Sequence, residues 1–144
     1  PPYTYTPYIV QVPYYLNDRY EFMSSKFQDN SLDISEYNPN FSVDFKKINR
    51  IITLACSLPG TSNIVNFNLN TDNLNICLNT NGKDYNFNIP INRISDIDKV
   101  SLNINSNLLK KLFYNDLVDE LKLKLNSSNL LLEYDNIKAV INCV

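Results

Sequence analysis

A turn sequence, with the alternating residues on either side of it, occurs twice in this chain, fifty-six positions apart. Asn70-Thr71-Asp72-Asn73-Leu74 returns as Asn126-Ser127-Ser128-Asn129-Leu130. Around it Phe67 aligns with Leu123, Leu69 with Leu125, Ile76 with Leu132 and Leu78 with Tyr134. Residues two apart share one face of a strand, so this match predicts the same hairpin built twice with the same face buried. A lysine pair on a helix-like stretch precedes each hairpin, Lys46-Lys47 in the first copy and Lys110-Lys111 in the second. Few folds accommodate such a duplication within 144 residues.

Period two dominates the chain. Val65, Phe67 and Leu69 alternate with Asn66, Asn68 and Asn70, and Leu74, Ile76 and Leu78 with Asn75, Cys77 and Asn79, the signature of half-buried strands. Beyond the Asn81-Gly82 turn signal, Tyr85, Phe87, Ile89 and Ile91 predict a third strand, with Pro90 pointing to an edge position or a strand end. A polar link over 93–99 follows. The second copy opens with Val100, Leu102 and Ile104, and continues through Leu121–Leu125, Leu130–Tyr134, a turn at Asp135-Asn136 and Ile137–Val144.

Two segments switch to the three-and-four spacing of an amphipathic helix. Phe45, Ile48, Ile51, Ile52 and Ala55 predict one over 44–57, with Asp44 as N-cap and Leu58-Pro59-Gly60 as its stop. Leu108, Leu109, Leu112 and Phe113 predict a shorter one from Ser106 or Asn107 to about Asn115, again behind a capping residue. With Phe41–Val43 leading the first copy, the order is βαβββ given twice. The expected class is α+β, duplicated βαβββ units with two helices on one face of antiparallel sheet.

Residues 41–144 hold that domain. Residues 1–40 do not fit the repeat: Pro1, Pro2, Pro7 and Pro13 interleave with Tyr3, Tyr5, Tyr8, Tyr14 and Tyr15, and 28–40 is polar and linker-like. This segment reads as an arm packed on its own domain or the remnant of a preceding one. If it docks elsewhere, as a strand or a Pro/Tyr peptide, those five tyrosines are the partner-binding set. The chain also lacks a starting Met, as a fragment or a processed product would.

Charge is unevenly placed. The chain carries a net charge of −2, yet Lys46, Lys47 and Arg50 lie off the apolar stripe of the first helix, and Lys110 and Lys111 off that of the second, with no acidic residue inside either. Exposed helix faces commonly carry Lys and Arg for solubility. Five cations on two helix faces of an acidic protein also suit a surface that follows a phosphate backbone.

Two strand–helix–three-strand units with basic helix faces resemble a domain of the DNA sliding clamps, the processivity factors of bacterial β-clamp and PCNA type. The resemblance rests on the pattern of residues 41–58, 64–91 and 100–144, and on no signature motif. It implies helices that line a central hole, sheets that form the outer wall, no catalysis and no cofactor. The partners it implies are DNA, held weakly and without sequence preference, and polymerase or loader subunits, in an intracellular setting. Rings of that family are built from six such domains, so a chain of this size would assemble with copies of itself, belong to a longer chain, or serve as an adaptor. Five phosphate contacts would give a log–log salt slope of about −4 to −5.

The chemistry of an enzyme is hard to assemble from this chain. There is no His, the commonest general base and metal ligand, and no phosphate-binding or nucleophile-elbow motif. Asp96 and Asp98 read as a solvated loop, and Asp116, Asp119 and Glu120 as a turn after the second helix. Cys56, Cys77 and Cys143 are far apart, without a C-x-x-C pair or a basic neighbour, so neither a disulfide framework, a zinc site nor an activated thiol is expected. No apolar run approaches the roughly 18 residues of a membrane span. Asn accounts for 24 of 144 residues, so the N-x-S/T triplets at Asn40 and Asn126 carry little weight as glycosylation signals. The competing class is a viral structural or assembly module that works through its sheet edges and its Tyr-rich arm.

Overall fold

The computed structural model describes residues 8–11, 38–113, 118–134 and 137–144, with the side chains of residues 8–11 and 137 left aside. A short strand β1 (Tyr8–Gln11) comes first. The first repeat runs β2 (Phe41–Asp44), α1 (Phe45–Ser57), β3 (Ile64–Leu69), β4 (Asn73–Thr80) and β5 (Lys83–Pro90). A two-residue strand β6 (Asn92–Arg93) follows, and then the second repeat: β7 (Val100–Asn105), α2 (Ser106–Leu112), β8 (Glu120–Leu125), β9 (Asn129–Tyr134) and β10 (Ile137–Asn142). The α+β class and the duplicated βαβββ order are those read from the sequence.

The repeat holds at the level of single bonds. In β3–β4, Phe67 stands opposite Ile76 and Leu69 opposite Leu74; in β8–β9, Leu123 stands opposite Leu132 and Leu125 opposite Leu130. Both turns are closed alike, the Asn70 amide donating to the Asn73 carbonyl at 2.9 Å and the Asn126 amide to the Asn129 carbonyl at 3.1 Å. All eight residues of the alignment, from Phe67 to Tyr134, are buried. The Asn126 carboxamide is occupied by its own turn, accepting from the Asn129 amide at 2.8 Å.

Hydrogen bonding divides the strands into two sheets, a partition that period two does not encode. The orders are β1-β10-β9-β8-β2-β6 and β5-β4-β3-β7. Each repeat therefore sends its leading strand into the sheet of the other. Phe41 pairs with Leu123 and Val43 with Leu121, while Leu102 pairs with Phe67 and Ile104 with Val65. These are matching positions under the repeat, so the exchange is reciprocal in register. β6 lies within the stretch expected to be a polar link and pairs with β2 through Phe41–Arg93 and Ser42–Asn92. Antiparallel pairing of β1 with β10, Tyr8 opposite Ile141, adds part of the N-terminal segment to the larger sheet. Tyr3, Tyr5, Tyr14 and Tyr15 lie outside the described residues.

Each helix starts without a loop, directly from the exchanged strand. Asp44 caps α1, its Oδ2 accepting from the Lys47 amide at 3.1 Å, and Asn105 caps α2, its Oδ1 accepting from the Asn107 and Leu108 amides. A cap of this kind contributes about 1 kcal/mol. The first helical amides are tied across the repeats, Phe45 to the Asp119 carbonyl at 2.9 Å and Ser106 to the Asn63 carbonyl at 2.8 Å. α2 stops at Leu112, earlier than its apolar spacing predicts. Phe113 leaves the helix to set its ring edge-on to Phe45, centroids 5.2 Å apart, and the Tyr134 hydroxyl donates to the Leu112 carbonyl that the helix end leaves open.

Because each sheet contains strands of both repeats, the two halves should unfold together. In urea, far-UV circular dichroism and tyrosine fluorescence should trace one coincident transition. Leu123→Ala, at the crossing point of the exchange, should lower stability by about 2–5 kcal/mol without separating the two probes.

Candidate nucleic-acid interface

The three-and-four spacing of α1 buries Phe45, Ile48, Ile51, Ile52 and Ala55, and α2 buries Ser106, Leu109 and Leu112. Both helices cover the same core and lie side by side, antiparallel. Three contacts fix that direction. Cys56 Sγ reaches the Ser106 carbonyl at 3.5 Å, Lys110 Nζ donates to Asn49 Oδ1 at 2.9 Å, and the Phe45–Phe113 ring contact closes the far end.

This pairing brings the five sequence-predicted cations onto one layer. Lys46, Lys47, Arg50 and Lys111 are exposed, and Lys110 is half-buried at the seam between the helices. Neither helix has an acidic residue in its first turn, so no carboxylate neutralises the group from within. The Lys110–Asn49 bond was not legible beforehand, because partners 61 residues apart can be matched only once the helix pair is known.

The outer faces of the sheets differ. On β3, β4, β5 and β7 the outward side chains are mostly carboxamides that bind one another: Asn66 Nδ2 donates to Asn103 Oδ1 at 2.9 Å and Asn75 Nδ2 to Asn88 Oδ1 at 3.0 Å. On the larger sheet Lys122 stands opposite Glu133, and Lys138 Nζ lies 3.7 Å from a Glu133 carboxylate oxygen. Positive charge unaccompanied by carboxylates is thus concentrated on the helix layer, the one of these faces suited to phosphate.

Among the described residues, no group of three or more His, Cys, Asp and Glu side chains is placed to hold a metal ion. Asp96, Asp98, Asp119 and Glu120 are exposed, and the Asp119 carbonyl serves the start of α1. Asp116 lies outside the described residues. No helix among those described is long and apolar enough to cross a membrane. The Cys77 thiol is pushed above its ordinary pKa, first by burial and then by the nearby Asp84 carboxylate, opposed by a hydrogen bond from the Tyr85 backbone. Cys56 is exposed at the helix seam.

The architecture just described, two repeats exchanging their leading strands beneath an antiparallel helix pair, has close counterparts among solved structures. Proliferating Cellular Nuclear Antigen from Entamoeba histolytica superposes with a TM-score of 0.64 at 11% identity, covering 83% of this chain and 51% of that one. The fold is that of a sliding-clamp domain. A sliding clamp from Bartonella birtlesii, bound to griselimycin, matches with a TM-score of 0.64 at 11% identity over 81% of this chain and 34% of its own. The Helicobacter pylori beta clamp bound to a DNA ligase peptide gives 0.56 at 16% identity over 82% and 34%. The chain therefore spans about half the length of the Entamoeba clamp and about a third of the bacterial ones. No protein-family model matches the sequence, and no curated protein matches it. At identities this low the likeness is one of fold.

Thiol chemistry gives a check on this geometry. With iodoacetamide at neutral pH, Cys56 should be alkylated before Cys77, and Cys77 should need a more alkaline medium to react, because the thiolate is the nucleophile and its formation there is opposed. Peptide mapping of the alkylated protein reads the order directly.

Proposed function

We propose that this clamp-like domain is a non-catalytic, DNA-associated processivity or adaptor module, with Lys46, Lys47, Arg50, Lys110 and Lys111 resting on the phosphate backbone. The observation that carries the reading is the antiparallel packing of α1 and α2, which gathers cations from two distant sequence segments onto one exposed layer. Side chains of this kind give sequence-independent contact, since phosphate carries no base information. Weak contact suits a protein that must move along a duplex.

The domain proper is residues 41–144, and the preceding segment is an arm or the remnant of another domain. One domain covers only an arc of a duplex, so enclosure requires copies of this chain or further domains on a longer one. Polymerase or loader subunits are the protein partners this reading assigns.

Salt dependence tests the interface quantitatively. The four exposed cations should give a log–log slope of about −3.6 on duplex DNA, steepening to about −4.5 if Lys110 exchanges Asn49 for phosphate. Each cation removed should flatten the slope by about 0.9. Replacing all five by Glu should abolish retention on DNA in electrophoretic and fluorescence-anisotropy assays, while circular dichroism stays unchanged. A variant that binds like the parent would refute the helix-layer assignment.

A further inference from the structure

Between α1 and β5 the surface opens into a groove that the cationic helix layer does not account for. Its upper part, about 440 Å³, lies between Lys47, Arg50, Ile51 and Leu54 of α1 and Phe87 and Ile89 of β5. It continues into a second hollow of about 300 Å³, where Leu54 and Phe87 are joined by Leu58, Leu78 and Tyr85. Leu54, Leu58 and Tyr85 are 37%, 41% and 46% exposed, an apolar cluster standing in water. Contiguous patches of this kind on soluble domains commonly mark interaction sites.

The groove borders an open sheet edge. The two-residue turn at Asn81-Gly82 closes on the Thr80–Lys83 pair, and the Ile91 amide donates to the Asp72 carbonyl at 3.3 Å. Odd-numbered residues of β5 therefore direct their backbone groups to β4, and Asp84, Asn86, Asn88 and Pro90 direct theirs outward. Pro90, which has no amide to give, falls on the outward side. Among the described residues no strand pairs with this edge. The internal repeat shows what such an edge accepts. β10 is the counterpart of β5 in the second copy, and its outer edge carries the antiparallel strand β1.

Charge selects the chemistry of the occupant. Lys47 and Arg50 stand on the helix wall, and Lys83 Nζ lies 6.0 Å from the centre of the Tyr85 ring on the other. Asp84 is an even-numbered residue, so its side chain points to the opposite face of the sheet, where it accepts from Asn79 Nδ2 at 2.9 Å. A second copy bringing its own β5 to this edge would set Lys47, Arg50 and Lys83 against the same three cations, which disfavours self-pairing.

The geometry points to a docking site for an extended peptide of alternating acidic and apolar residues, added as a strand to the outer edge of β5. Its backbone pairs with Asp84, Asn86 and Asn88, and alternate side chains enter the groove between Leu54 and Phe87. Its carboxylates meet Lys47, Arg50 and Lys83. Lys47 and Arg50 thereby border both the peptide groove and the proposed DNA layer, whereas Leu54 and Tyr85 belong to the groove alone.

The test uses the full chain and a fluorescein-labelled probe, Glu-Leu-Glu-Phe-Glu-Leu with an amidated C-terminus, followed by anisotropy and by amide hydrogen exchange. Binding is expected in the range of about tens of micromolar, with new protection at the amides of Asp84, Asn86 and Asn88. Leu54→Asp, at an exposed helical position, should weaken it about tenfold or more. Asn86→Pro, which removes an outward amide as Pro90 already does, should weaken it comparably while sparing the β4 ladder. Neither variant should alter the salt slope on DNA. Absence of binding up to about 1 mM, equal binding of the peptide with Lys in place of Glu, or protection at other strands would each overturn the proposal. A dimer seen by sedimentation and dissolved by Asn86→Pro, without peptide binding, would assign the edge to a second copy instead.

Discussion

The reciprocal exchange of leading strands between the two repeats is the constraint on which the rest of this structure depends. β2 completes the sheet of the second repeat and β7 that of the first, in matching register, Phe41 against Leu123 and Leu102 against Phe67. A slip of one residue in either pairing would turn an entire apolar row outward. Both rows are buried, so the hydrophobic effect itself holds the register. Since each helix grows directly out of an exchanged strand, the register also fixes where the helices stand. Their antiparallel contact, and with it the gathering of Lys46, Lys47, Arg50, Lys110 and Lys111, follows from strand pairing rather than from any attraction among the charges.

Much of this was legible in local patterns. The alternation from Val65 to Leu78, the Asn81-Gly82 turn, the caps at Asp44 and Asn105 and the apolar stripe of α1 are local features, and their local physics decides them. What escaped was set by partners distant in sequence. Nothing in Phe41–Asp44 says that its neighbour is Leu121–Leu123 rather than a strand of its own repeat, so the division into two sheets stayed hidden. Asn92-Arg93 is polar and short, and becomes a strand because β2 offers an edge. The early end of α2 depends on Phe45 and Tyr134, neither of which belongs to that helix.

The faces of the molecule divide by chemistry. Carboxamides that satisfy one another cover the smaller sheet, lysines matched by Glu133 occupy part of the larger one, and the helix layer holds cations without carboxylates. This distribution is what permits an acidic chain to approach a polyanion in one orientation. The apolar groove beside β5 sits at the border of that layer, close enough for an occupant to share Lys47 and Arg50 with a nucleic acid. Contact with DNA and contact with a protein are in this way neighbouring properties of one helix.

Lysine footprinting tests the central claim most directly: acetylation of each lysine by an amine-reactive reagent, measured by mass spectrometry with and without duplex DNA at low salt. The account predicts slower modification of Lys46, Lys47 and Lys111 in the presence of DNA, with Lys122, Lys124 and Lys138 unchanged on the outer sheet. Protection of the outer-sheet lysines, with the helix layer left open, would contradict it.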